Sequence, residues 1–156
     1  MNTIDAAMHK SRQATRPHPV LLVDGVPLEM WIQGITDDLG QDISGTLVPA
    51  QGWLIDEHDL DNAWYLLAPK NDMSSTIVPI LVCPDDMNMT CTVAVVEQQV
   101  DADTVSWVRV GKAVDVLNGV VASVKWRIPN QKAVFPQADF RAAVAELRRL
   151  ADEEWS

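Results

Sequence analysis

The sequence predicts an α+β domain in which an antiparallel β-meander of about five to six strands is covered on one face by helices, a C-terminal helix among them. Three observations lead there. Strand-like runs are concentrated between Thr76 and Ile128, stretches with apolar residues at helical spacing flank them on both sides, and the turn pair Asn118-Gly119 joins two of the runs into a hairpin. With 156 residues, 47% of them hydrophobic, the chain is long enough to bury a core without metal or disulfide staples.

The opening residues 1–18 are polar and end in "RPHP", and they read as a disordered lead-in to a single domain over residues 19–156. "VLLVDG" then gives a short strand, Val20 to Val23, closed by an Asp-Gly turn. In "PLEMWIQGITDDL", Leu28, Trp31, Ile32, Ile35 and Leu39 recur at helical spacing behind Pro27, which predicts a first helix weakened by Gly34. The next stretch, "GQDISGTLVPAQGWL", is rich in turn residues and ambiguous. A second helix begins at Asp56, a good N-cap, carries Leu60, Ala63, Trp64 and Leu67 on one face, and stops at Pro69.

"TIVPILVC", Thr76 to Cys83, is a near-continuous apolar run suited to a strand covered on both faces, with Pro79 marking an edge or a bulge because it cannot donate to the ladder. "TCTVAVVEQQV" and "TVSWVRVG" follow, separated by a polar "DAD" turn. "VVASVKWRI" alternates, with Val120, Ala122, Val124, Trp126 and Ile128 on one face, and pairs through Asn118-Gly119 with Val114 to Leu117. A short strand, Ala133 to Phe135, precedes a C-terminal helix with the stripe Phe140, Val144, Leu147 and Leu150 or Ala151. Trp31, Trp64, Trp107 and Trp126 fall at core positions of these elements. Trp53, in an irregular stretch beside Gly52, is the candidate surface anchor.

"CPDDMNMTC" raises the question of chemistry. Zinc sites favour four ligands at short Cys-x-x-Cys-like spacings, whereas here seven residues separate Cys83 from Cys91 and no histidine is near. No metal or other cofactor is therefore expected. The pair also lacks a Cys-x-x-Cys redox spacing, and whether the two thiols can form a disulfide is left open by the sequence. The expected roles are small apolar residues at strand ends and an acidic turn at Pro84-Asp85-Asp86. No Gly-x-Ser-x-Gly elbow, Walker loop, His-Glu-x-x-His or dinucleotide glycine fingerprint occurs, and no catalytic residue is assigned. A binding protein is expected rather than an enzyme.

Charge is segregated along the chain. Residues 1–23 hold one acid and three bases, for +2; residues 24–103 hold fifteen acids and one base, Lys70, for −14; residues 104–156 hold eight bases and six acids, for +2, and the three sum to the formal −10. A run of that sign is unsuited to nucleic acid, which needs a basic footprint, and suits a cationic partner. Solubility alone is the competing explanation. Asp56, Glu57, Asp59 and Asp61 at the start of the second helix, with Asp85 and Asp86, are the candidate partner contacts together with Trp53, provided that the acidic turn and the helix start lie on one side. No apolar run approaches the roughly 20 residues of a membrane span, and the N-terminus lacks the apolar stretch of a secretory signal. A cytoplasmic chain without a membrane partner is expected. Its oligomeric state is not legible.

The order "LLVDGVPLEMWI", "LVPAQGWL", "PILVCPDDMNMTCTVAVVE", "VSWVRVG" and "VKWRI" before "FPQADFRAAVAEL" resembles a family of small bacterial proteins with the pattern Asp-Gly-x-Pro-Leu, Pro-x-Leu-x-Cys-Pro-Asp-Asp and Trp-x-Arg-x-Gly. The resemblance spans about Val20 to Leu150, with Met87-Asn88-Met89 and a longer N-terminal segment as departures. That family is similar to immunity proteins that neutralise secreted bacterial toxins. The resemblance implies a cytoplasmic immunity protein whose partner is a toxin, with a basic nuclease-type domain the expected target of an acidic surface. The alternative is a secretion chaperone or other acidic adaptor, which would need an exposed apolar groove.

Overall fold

The structure, a computed structural model, describes residues 1–70 and 75–154. In chain order its elements are β1 (Ile4–His9), β2 (His18–Val23), β3 (Val26–Pro27), the helical turn α1 (Leu28–Trp31), a 3-10 turn (Ser44–Thr46), β4 (Val48–Pro49), the short α2 (Ala50–Trp53), α3 (Glu57–Leu67), β5 (Ser75–Val82), β6 (Val93–Val100), β7 (Thr104–Leu117), β8 (Val120–Trp126), β9 (Ala133–Pro136) and α4 (Gln137–Glu154). All sheet pairings are antiparallel, in a three-stranded sheet of order β1-β2-β3 and a six-stranded sheet of order β4-β5-β6-β7-β8 with β9 also paired to β7. The fold is α+β with a C-terminal helix, as the clustering of strand-like runs between flanking helical patterns implies. Among the described residues no helix is long and apolar enough to cross a membrane.

β7 organises the larger sheet. One edge pairs with β6, while the other is shared between β9 over Thr104–Trp107 and β8 over Gly111–Leu117. Alternation along β6 sends Ala94 and Val96 into one apolar cluster and Val93 and Val95 into a second, so this strand is buried on both faces. The larger cluster joins β2, α1, β9 and α4 through Leu21, Leu28, Phe135 and Phe140; the smaller one joins α2, α3 and the β7–β8 hairpin through Ala50, Ala63, Val121 and Val124.

Several elements follow from local chemistry. Asp56 caps α3, its carboxylate accepting from the Asp59 N–H at 2.9 Å, and such a cap is worth about 1 kcal/mol. Asn118 at φ 53° and Gly119 at φ 79° form the β7–β8 turn, where two consecutive left-handed residues match the twist of the strands. At Pro79 the β5–β6 register shifts in a bulge. The Pro79 carbonyl accepts from Gln51 Nε2 at 2.8 Å instead.

Two expectations are corrected. The predicted first helix is one turn long: Ile32 is extended at ψ 132° and Gly34 has φ 83°, its N–H held by the Asp42 carboxylate at 3.0 Å. Ile32 and Ile35 are nonetheless fully buried, so their spacing reported burial correctly and helix incorrectly. Residues 1–18 are not a disordered lead-in. Residues 4–9 pair with 18–23 throughout β2, α4 packs on β1, and Asn2 closes a backbone bond to the Val134 carbonyl at 2.8 Å while its side chain accepts from the Val134 N–H at 2.9 Å. The segment lacks apolar periodicity because it is held through its backbone, with Ile4 as its one buried large apolar side chain.

The Trp-x-Arg-x-Gly stretch is built into this sheet. Trp107 is buried among Trp31, Phe135 and Phe140 at centroid distances of 5.9, 5.1 and 6.1 Å. The Arg109 Nε donates to Glu97 Oε1 across the β6–β7 pair at 2.5 Å, and its guanidinium lies 3.9 Å over the Trp126 ring on β8. At Gly111 a Cβ would sit 2.6 Å from Val124 Cγ1 and 2.7 Å from the Lys125 carbonyl, so only glycine lets β8 approach.

Two predictions follow. Deletion of residues 1–10 exposes the β2 edge and removes the Ile4 burial, and should lower the unfolding free energy in urea by at least about 2 kcal/mol; an unchanged midpoint would show that β1 does not contribute. Gly111→Ala forces backbone against backbone and should cost about 1–3 kcal/mol in the same measurement, whereas Gly45→Ala, where a Cβ meets open space, should shift the midpoint little.

Candidate functional site

The acidic candidates converge at one end of the molecule. The connection between β5 and β6, residues 83–92, folds back on itself: the Met87 N–H donates to the Cys83 carbonyl at 3.0 Å, Met87 adopts φ 51°, and Asn88 accepts from the Thr90 N–H at 2.9 Å. Buried Met89 pins the connection into the smaller core. The Ile55 N–H donates to the Met87 carbonyl at 3.1 Å and thereby joins this loop to the residues leading into α3. The loop that carries the acidic turn therefore abuts the residue before the Asp56 cap.

Between them lies a cleft of about 510 Å³ lined by Ile55, Asp56, Asp59, Met89, Val116 and Gly119 among others. Asp56, Glu57, Asp61, Asp85 and Asp86 are exposed. None of these carboxylates is ion-paired among the described residues, whereas Arg109, Arg148 and Arg149 are paired with Glu97, Asp152, Glu146 and Glu153. Asp59 is half-buried against the hairpin turn, and burial, with the Asp56 charge second, pushes its carboxyl above the ordinary range. Asp61 lies two residues further, on another side of the helix, and borders a different groove, between α3 and α4, with Trp64 and Arg148. Trp53 fills the role of a surface anchor only in part: it is half-buried, its ring packs on the smaller core and edge-on to His18 at 5.3 Å, and its Nε1 is turned into the protein without a partner.

The same loop brings together three groups that spacing alone did not. Cys83 Sγ, Cys91 Sγ and a carboxylate oxygen of Asp86 lie within 4.8 Å of one another. Both thiols are free and half-buried. Burial first, then a hydrogen bond to Cys83, pushes the Cys91 thiol up to about 11.

A second constellation was missed because two of its members lie in the segment read as disordered. Ser11, His18 and Glu29 are each 2% exposed. The Ser11 hydroxyl donates to Glu29 Oε1 at 2.8 Å and lies 2.7 Å from His18 Nε2, while His9 Nε2 is 3.0 Å from the same carboxylate oxygen. The arrangement differs from a nucleophilic triad, in which the carboxylate orients the far imidazole nitrogen. Here Glu29 bonds the serine, His18 Nδ1 faces the Pro19 carbonyl at 3.2 Å, and no member reaches solvent. The network pairs the buried Ser11 hydroxyl and Glu29 Oε1 where β1, β2 and α1 meet and leaves Glu29 Oε2 buried without a partner. The signal that could have found it is "HKSRQATRPHP" itself, with Ser11 and His18 seven residues apart on either side of a return in the chain.

No family model matches the chain, and neither a curated protein nor a solved structure matches it.

Burial lowers the pKa of His18 below its ordinary 6.5. The unfolded chain therefore takes up a proton that the folded chain resists, and this contribution to stability is present above about 6.5 and lost as pH falls through the depressed folded value. Unfolding free energy should decline on acidification from neutral pH, with a shallower slope in His18→Gln. An equal slope in both proteins would assign the pH dependence to other groups.

Proposed function

We propose that this chain is a binding protein of the immunity class, which neutralises a cationic protein partner, a toxin domain of basic nuclease type, by covering the groups that would otherwise hold phosphate. One observation carries the reading: exposed carboxylates without an ion-pair partner among the described residues lie at the start of α3 and on the adjoining 83–92 loop, beside a cleft lined by Asp56 and Asp59. Unpaired charges at one end focus a negative field and steer a basic partner towards it, and the gain comes mainly in association rate. Exposed Ile55, at 68%, adds an apolar contact at the rim of the same cleft. The family resemblance of the Cys-Pro-Asp-Asp stretch points to the same class. Half-buried Trp53 does not line this cleft, and Asp61 contributes charge from the neighbouring groove.

The alternative, a chaperone or adaptor for an exported protein, would use the apolar side chains exposed along the β7–β8 hairpin, namely Val114, Leu117 and Val120 at 62, 66 and 60%. Its partner would be bound in a non-native state rather than as a folded basic domain.

The test is the association rate with a folded basic nuclease-type toxin domain, at about 50 and 200 mM salt, where screening differs by the change in Debye length. Glu57→Lys with Asp85→Lys should slow association at least about tenfold at the lower salt and flatten the salt dependence. Asp103→Lys is the control, since the β6–β7 turn lies at the far end of β6 from the 83–92 loop. Stability is measured in parallel because acids in the first turn of α3 also complement the helix dipole, by roughly 0.3–1 kcal/mol each. A salt-insensitive wild-type rate that both reversals leave unchanged would make the acids a solvated surface only.

A further inference from the structure

We infer that Cys83, Asp86 and Cys91 form a binding site for a thiophilic divalent cation of the zinc class, with one coordination position left open to solvent. The inference does not need the partner reading above: it shares only Asp86 with the acidic surface and rests on the proximity of three side chains of one loop. Zinc-class ions take sulfur, nitrogen and carboxylate ligands in tetrahedral array, and three protein ligands with a fourth position open is a recurring form. In such an array neighbouring ligand atoms are roughly 3.5–3.8 Å apart. The two Sγ atoms and the Asp86 oxygen already lie within 4.8 Å of one another, so side-chain rotation about fixed backbone suffices to close the set. Among the described residues it is the one group of three or more such side chains.

The backbone holds the set in place. Cys83 donates its N–H to the Thr92 carbonyl at 3.2 Å, which aligns the two ends of the loop, and Met87 N–H returns to the Cys83 carbonyl at 3.0 Å, which lifts Asp86 over the first cysteine. Buried Met89 and the bond from Ile55 to the Met87 carbonyl fix the remainder. Little ordering is left to be done on binding.

The third group separates a cation site from a simple dithiol. Thiol exchange chemistry needs only the two sulfurs and gives the Asp86 carboxylate no part. For a cation the same carboxylate is a ligand. Binding exchanges protons for metal: each thiol releases one proton, sulfur–metal bonds form at Cys83 and Cys91, and one divalent ion against three anionic ligands leaves the site with a single negative charge. Asp86 is exposed and the cysteines half-buried, so the ion has an entry path.

The probes are Co²⁺ and Zn²⁺, added to the full, reduced, chelator-treated chain near neutral pH. One Co²⁺ should bind per chain with release of about two protons, giving sulfur-to-cobalt charge-transfer absorption and the visible bands of a tetrahedral ion, and Zn²⁺ should displace it with no further proton release. Saturating Zn²⁺ should slow alkylation of the thiols at least about tenfold. Asp86→Asn should weaken Co²⁺ binding at least about tenfold while keeping the charge-transfer absorption, and Asp85→Asn should change neither. Absorption should be lost in Cys83→Ser with Cys91→Ser, with far-ultraviolet circular dichroism showing that the variant is folded. Absence of charge-transfer absorption in the wild-type chain, a signal that survives loss of both cysteines, alkylation indifferent to Zn²⁺, or equal affinity in the Asp85 and Asp86 variants would each overturn the assignment. The wild-type arms stand whether or not the double variant folds.

Discussion

A single buried amide holds the two halves of this fold in register. Gln98, 1% exposed, accepts from the Trp107 indole Nε1 at 3.0 Å and donates to the Leu67 carbonyl at 3.0 Å. The first bond fixes the Trp107 ring on β7, and that ring is the hub of contacts to α1, β9 and α4. The second secures the last residue of α3, whose start carries the acidic end of the molecule. An unsatisfied group here would cost about 1–3 kcal/mol, so neither β6 nor α3 can shift without breaking the other's position. The acidic cleft owes its geometry to a hydrogen bond at the opposite end of the helix that borders it.

That dependence explains which features were legible in the sequence. α3, the Asn118-Gly119 turn, the Pro79 bulge and α4 each announce themselves by local chemistry: a capping carboxylate, two left-handed residues, a missing donor, an apolar stripe. β1 is held by main-chain pairing to β2 and by Asn2 on β9, and neither leaves a hydrophobic period to detect. The first helix fails for the opposite reason. Its period is genuine, but Ile32 and Ile35 are buried from extended backbone after Gly34 and Asp42 divert the chain.

The candidate site divides along the same line. Charge is a property of composition, so the acidic face could be proposed from residue types alone, and its gathering at one end needed only the link between Ile55 and Met87. The Cys83, Asp86 and Cys91 group could not, because a separation of seven residues says nothing of how a loop turns. The α-turn at residues 83–87 and the left-handed Met87 decide that the two thiols meet. The buried Ser11, His18 and Glu29 network was hidden more deeply. It joins a residue of the β1–β2 connection to β2 and α1, and that connection lay in the segment read as a tail.

The Trp-x-Arg-x-Gly motif is structural. Trp107, Arg109 and Gly111 point alternately into the core, across the β6–β7 pair and at a strand crossing too close for any side chain. Arg109 spends its charge on Glu97 and its plane on Trp126, which leaves neither for a ligand. A pattern of this kind marks a fold because each residue satisfies a constraint imposed by its neighbours in the sheet. The 83–92 loop carries the opposite signature: exposed aspartates, half-buried thiols and a strained backbone residue, on a segment pinned at several points. Rigid backbone beneath unsatisfied side chains is the combination in which binding costs least ordering, and in this molecule it occurs where the acidic face and the thiols adjoin.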